Sequence, residues 1–183
     1  MIRLSDLLPE LEIPSGKWVD MDMSQIDREG MKHIWKIYTD AYSAQSLDFS
    51  ASGASEMQSK YKAIKLIDVD EDKIPDAFII YKPTKFGNKI ALLAADTQKR
   101  EAKSAVVKKV IELVKTSGWF LEASAKMEDI MKSSNAPVVT DEKKIMDILG
   151  NEKAPEFTGD GYYTRTLSKV NKRITKRIYG KPR

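Results

Sequence analysis

Lys89-Ile90-Ala91-Leu92-Leu93-Ala94-Ala95-Asp96 reads as a buried strand, and Thr97-Gln98-Lys99-Arg100-Glu101 as a charged turn. Ala102 to Ser117 then carries Val106, Val107, Val110, Ile111, Leu113 and Val114 at the spacing of an amphipathic helix. Gly118 stops that helix, and Trp119-Phe120-Leu121-Glu122-Ala123 opens another strand, expected to run to about 126. A helical crossover of this length suits parallel pairing of the two strands it joins. A polar loop that feeds a helix N-terminus among basic side chains also suits an anion, because the first backbone N–H groups and the helix dipole point there.

Outward from this stretch the pattern stays mixed. Lys17 to Met23 alternates polar and apolar residues as a half-buried strand. Ser24 is placed to start a helix from Ile26, and Met31, Ile34, Trp35, Tyr38, Ala41 and Tyr42 form one apolar face over 26–43. A turn at Ser50–Gly53 and a short helix at 54–61 precede strands at 63–69 and 77–81, and Gly87-Asn88 closes a hairpin into the strand at Lys89. The three strands therefore form an antiparallel meander. Beyond Asn135-Ala136-Pro137, a helix spans Asp141 to Leu149, capped by Thr140 and stopped by Gly150. Phe157 to Leu167 reads as the last strand.

The chain has 183 residues, 42% of them hydrophobic and 32% charged, which fits one globular domain over 1–168 with a lead-in at 1–16. No apolar run approaches the ~20 residues that span a bilayer. No secretory leader is read at Met1-Ile2-Arg3-Leu4-Ser5-Asp6, and a cytoplasmic setting, or a virion for a phage-encoded chain, is expected. The lack of cysteine excludes disulfides, thiol catalysis and cysteine-ligated zinc. Eight of the 31 basic residues follow Asp160 and no acid does, so residues 1–160 hold 23 bases against 27 acids. The surplus positive charge is thus expected in a basic tail at 169–183, and residues 165–183 could meet an acidic protein or nucleic acid.

Single motifs are ambiguous. Asp68, Asp70, Asp72 and Asp76 have a calcium-loop spacing, but Lys73 stands where such loops need glycine and no closing Glu follows, so an acidic turn is read and no metal is expected. His33 is the sole histidine and reads as structural. Tyr162 and Tyr163 are adjacent on a strand, so one must face inward. The aromatic residues do not interleave with basic ones, which argues against a base-stacking platform.

The order strand, helix, short helix, three-strand meander, helix, strand, helix, strand over roughly 17–168 resembles the GNAT family of N-acetyltransferases. The ending Gly159 to Arg165 and the closing Gly180-Lys181-Pro182 are similar to small GNAT-like proteins of tailed bacteriophages. The resemblance implies an α/β (α+β) fold with a mixed, mostly antiparallel central sheet flanked by helices, and acetyl-CoA as the cofactor. The family motif Q/R-x-x-G-x-G/A would fall on Arg100, Glu101, Ala102, Lys103, Ser104 and Ala105, with Lys103 in place of the middle glycine. Leu93, Ala94 and Ala95 would line the pantetheine arm, and Asn135 lies near the family's asparagine. Tyr163 or Tyr162 would protonate the leaving thiolate, and Glu122 or Asp96 would serve as base toward an unspecified amine. Two other functions stay open: a GNAT-like binding or virion-associated protein without catalysis, and a nucleic-acid binder acting through the basic tail.

Overall fold

The computed structural model describes residues 16–42, 51–150, 155–167 and 172–183. Eight strands and five α-helices lie in these residues: β1 Val19–Asp22, α1 Arg28–Tyr42, α2 Ala51–Lys60, β2 Ala63–Ile67, β3 Ala77–Thr84, β4 Gly87–Ala95, α3 Arg100–Lys115, β5 Trp119–Glu122, α4 Ala125–Ser133, α5 Glu142–Leu149, β6 Glu156–Gly159, β7 Tyr162–Leu167 and β8 Lys172–Gly180. The chain separates into two compact units. The first holds Met1–Lys82 and Ile90–Lys108, and the second Pro83–Lys89 and Lys109–Arg183.

In the first unit the strands follow one another as β1-β2-β3-β4. The β1–β2 and β2–β3 ladders are antiparallel, with Met21 opposite Ile64 and Leu66 opposite Phe78. Both faces are buried from Ile64 to Ile67 of β2 and from Ala77 to Ile80 of β3, so these stretches are apolar but for Lys65 rather than alternating. Met31, Ile34 and Ile37 of α1 and Met57 of α2 pack with Ile64, Leu66, Phe78, Ile80 and Ala94 into one core. Helix α1 begins later than the Ser24 reading implies. Asp22 caps a single 3₁₀ turn over Met23–Gln25, and the Asp27 carboxylate then accepts from the Gly30 amide at 2.7 Å. His33 Nε2 lies 2.9 Å from the Pro75 carbonyl, a structural contact.

In the second unit the order is β5-β8-β7-β6, with antiparallel ladders throughout. The expected tail is corrected here: Lys172–Gly180 is β8, hydrogen-bonded between β5 and β7. Lys176 and Arg177 sit in a half-buried ladder, and Ile178, Tyr179 and Gly180 are fully buried. Gly180 lies flush against β5 at φ +132°, where an added Cβ would stand 2.3 Å from the Trp119 carbonyl oxygen. The single last strand expected over Phe157–Leu167 is a hairpin instead. Asp160 and Gly161 both take positive φ, 50° and 79°, and form its two-residue turn. The strand expected to reach about 126 stops at Glu122. Ser124 caps α4 there by accepting from the Met127 amide. Helix α5 is capped by Asp141 rather than Thr140. Residues 1–15 of the lead-in expected at 1–16, and residues 168–171, lie outside the described residues. Among the described residues no helix is long and apolar enough to cross a membrane.

Candidate functional site

In the first unit, β4 delivers Leu93, Ala94 and Ala95 to a turn that opens α3. Ala94 and Ala95 are buried and Leu93 is half-buried. The Leu93 carbonyl accepts from the Tyr42 hydroxyl at 2.8 Å. Tyr42 ends an aromatic row on α1, with ring centroids 5.4 Å apart for Trp35–Tyr38 and 4.8 Å for Tyr38–Tyr42. Asp96 turns the chain: its carboxylate accepts from the Gln98 amide at 2.8 Å, and its carbonyl from the Lys99 amide. That bond gives Asp96 a turn-forming role.

Along the motif segment the helix period sorts the side chains. Arg100, Lys103 and Ser104 are exposed, Ala105 is half-buried and Ala102 is fully buried. The Lys103 ammonium reaches back to donate to the Thr97 carbonyl at 2.7 Å. Lys103 thus holds a cation clamped over its own loop. Arg100, Lys103 and Ser104 together offer two positive charges and a hydroxyl beside the helix start, a donor set that suits a pyrophosphate.

Lys99 fixes the same loop from the other side. Its ammonium lies 2.6 Å from an Asp70 oxygen and 3.9 Å from one of Asp72, and pairs also with the nearly buried Asp76. Asp68 accepts from the amides of Asp70, Glu71 and Lys73. The carboxylates of Asp68, Asp70 and Asp76 approach one another within 4.8 Å. The lysine occupies the place that a cation could take. Burial opposes its charge, but its hydrogen bonds to Asp70 and Asp76 and the neighbouring carboxylates prevail and raise its pKa.

In the second unit the register sorts the other named residues onto two faces. Glu122 is opposite Ile178, Tyr163 opposite Lys176 and Arg165 opposite Ile174. By strand alternation Glu122, Ile178, Lys176, Tyr163 and Arg165 share one face. Tyr163 is fully buried with Phe120, Val139, Ile145 and Ile178. The Glu122 side chain is 8% exposed, 2.6 Å from Arg165 Nη2 and 3.3 Å from Lys176 Nζ. Burial pushes its carboxyl up, but Lys89, Lys176 and Arg165, with help from the Tyr163 hydroxyl, pull it below the usual glutamate value.

The opposite face carries Tyr162, half-buried and opposite Arg177. The Tyr162 hydroxyl donates to Glu128 of α4, and Lys132 pairs with the same carboxylate at 3.1 Å. The Arg177 guanidinium stacks 4.4 Å from the Tyr162 ring centroid and 5.8 Å from that of Tyr179. Asn135 is exposed at the C-terminal end of α4, with φ 54° and its amide on the Lys132 carbonyl, so it closes a helix rather than opening one.

The structure is similar to an acetyltransferase of the GNAT family from Desulfovibrio desulfuricans, with a TM-score of 0.50 at 11% identity, covering 89% of this chain and 97% of that one. The chain has the GNAT fold. A ribosomal-protein alanine N-acetyltransferase from Escherichia coli aligns with a TM-score of 0.47 at 15% identity, over 91% of this chain and 94% of that one. A GNAT-family acetyltransferase from Bacillus anthracis aligns with a TM-score of 0.47 at 10% identity, over 91% and 95%. No protein-family model and no curated protein sequence matches the chain.

On this GNAT fold, Asp96 and the motif residues 100–105 gather at one loop of the first unit. Glu122 and Tyr163 meet on one face of the second, and Tyr162 lies on the other. Sequence reasoning missed Glu128, Lys132 and Arg177, which surround Tyr162. Ser124 as a cap with Asn135 as a terminator was the available signal for α4.

Proposed function

We propose that this protein is an acyl-CoA-dependent N-acetyltransferase acting on an amine. The observation that carries the reading is the β4–loop–α3 segment of a GNAT fold, whose first turn exposes Arg100, Lys103 and Ser104 together. These three residues would hold the phosphates of the cofactor. Acetyl-CoA supplies an activated acyl thioester when bound. Of the two tyrosines, Tyr162 is the proton donor in this reading. Tyr163 is fully buried, its ring among apolar side chains and its hydroxyl turned to Glu122, whereas the Tyr162 hydroxyl is at a half-buried polar cluster. Neither expected carboxylate suits the base. Asp96 is committed to the turn, and Glu122 is held by two cations with its basicity reduced. Proton removal from the amine therefore passes to water.

The test is thermal unfolding with acetyl-CoA at millimolar concentration, followed by thiol release with a panel of primary amines. The expected result is a rise in Tm with ligand concentration and amine-dependent thiol release. No rise in Tm at that concentration would reject the reading.

One observation favours a second reading, a GNAT-fold binding protein without catalysis: ion pairing lowers the basicity of Glu122, the strand carboxylate expected as base. Ligand-dependent stabilisation without thiol release for any amine would select it. The nucleic-acid reading has less support, since residues 172–180 form a strand rather than a tail and Arg165 and Lys176 are paired with Glu122.

A further inference from the structure

The cluster around Tyr162 has an unusual charge balance. From α4, Glu128 accepts a hydrogen bond from the Tyr162 hydroxyl and Lys132 pairs with Glu128 at 3.1 Å. The Lys132 ammonium also lies 5.5 Å from the Tyr162 ring centroid. From β8, Arg177 covers the ring at 4.4 Å and Tyr179 lies behind it. With Tyr162 neutral, two cations face one carboxylate and the cluster carries a net charge of about +1. With Tyr162 ionised it is neutral. The surplus charge matches the phenolate, the form that exists only after a proton has left.

We propose that Glu128, Lys132 and Arg177 form a charge-compensating cradle that lets Tyr162 give up its proton, with Glu128 as the positioning residue that orients the hydroxyl. The inference rests on the proposed function for its chemical context, but its electrostatic core is independent of it.

The division of labour follows from the geometry. Glu128 is 20% exposed and fixed by Lys132, so it holds the Tyr162 hydroxyl in one direction at rest. Rotation about the Cζ–Oη bond redirects that proton without moving the ring. When the Oη–H bond breaks, the proton passes to the leaving group and the oxygen keeps the electron pair. Solvent then returns a proton to the oxygen, which restores the neutral phenol. Glu128 alone would oppose the ionised state, because two anions would stand in contact. Lys132 and Arg177 offset that repulsion. The hydrogen bonds already present agree with this balance: the Tyr162 hydroxyl and Lys132 together hold the Glu128 carboxyl below its usual value.

The experiment is a spectrophotometric tyrosine titration of the full chain without ligand, with the Tyr162 component obtained by subtracting the Tyr162→Phe curve. The two variants are expected to move the Tyr162 component in opposite directions, Lys132→Met by removing a cation and Glu128→Gln by removing an anion. Both side chains are at the surface side of α4, so both variants keep the fold, which circular dichroism verifies. A Tyr162 titration that neither variant moves, or that both move in the same direction, would overturn the proposal. A separate arm reads catalysis once an amine acceptor is found: Glu128→Gln should lower kcat about tenfold with KM unchanged, whereas a loss confined to KM would remove Glu128 from the positioning role. Failure of acetyl-CoA to stabilise the protein rejects the proposed function and leaves the titration result standing, so the two can fail separately.

Discussion

Arg165 Nη2 lies 2.6 Å from Glu122 Oε1, across the strand that the sequence assigned to a tail. The ion pair, joined by Lys176, bridges β5, β8 and β7 on one face of the sheet that the β8 ladders hold together. The Glu122 carboxyl titrates lower in the folded chain than its ordinary value of 4.5. Its stabilisation is therefore present above pH 4.5 and is lost as the pH falls through the folded value. Glu122→Gln keeps the shape but strands two cations, and should cost about 3 kcal/mol at neutral pH. Urea unfolding at neutral and acidic pH checks this. The gap between variant and parent should close in acid, and a pH-independent gap would show that packing rather than charge is responsible.

Lys99 makes the opposite case. Its pKa is raised in the fold by Asp70 and Asp76, so its contribution is complete below the ordinary value of 10.5 and is lost as the pH climbs through the higher folded one. Lys99→Met leaves three carboxylates facing one another and should destabilise the first unit by about 2 kcal/mol at neutral pH. Calcium added to this variant in a thermal melt gives a second readout. Lys99 engages Asp70 and Asp76, two of the three carboxylates close enough together to hold a cation, so the variant should be stabilised by the ion more than the parent. Equal responses would refute the substitution of ammonium for metal.

Much of the fold was legible because burial and periodicity agree. The α1 face through Met31, Ile34 and Trp35, the buried runs of β2 and β3, and the half-buried β4 lie close to where the sequence places them. The losses have physical causes. The basic side chains of β8 suggested a tail, and Lys172 and Arg173 are exposed, but Lys176 meets Glu122 and Arg173 meets Glu156, partners distant in sequence that no local pattern reveals. Helix α4 is short and polar on most of its surface, so its capping residues outweigh its periodicity as a signal. Asp160-Gly161 is a hairpin dipeptide, yet alternation over Phe157–Leu167 hides the reversal. At the candidate site the segment 93–105 was readable from its small residues and basic turn. The array on Tyr162 was not, because α4 and β8 bring it together from three separate stretches.

Lys103 separates charge from close approach. Its ammonium is bonded to Thr97 and remains exposed beside Arg100. Lys103→Ala should weaken binding of coenzyme A roughly fivefold and make it less sensitive to salt, since one charge-assisted contact is removed. Lys103→Gly removes the same charge but frees the backbone, at a helix cost of about 1 kcal/mol. If close approach dominates, the glycine variant binds more tightly than the alanine variant. Isothermal titration at two ionic strengths measures both effects, and unchanged affinity in both variants would remove this loop from the cofactor site.

The two adjacent tyrosines should part company under the same substitution. Tyr163 is enclosed by Phe120, Val139, Ile145 and Ile178, and its hydroxyl helps lower the Glu122 pKa. Tyr163→Phe should therefore act on stability, by about 1 kcal/mol, and raise the pH at which Glu122 titrates. Any acetyl transfer should persist in it. Tyr162 lies on the other face, hydrogen-bonded to Glu128 and stacked by Arg177 at 4.4 Å. Tyr162→Phe should leave the melting temperature within a few degrees and reduce acetyl transfer by about a hundredfold, the range of a lost proton donor. Parallel urea melts and thiol-release assays on the two variants decide the matter. Equal losses of activity would mean that a disturbed β7, rather than a proton donor, lies behind both.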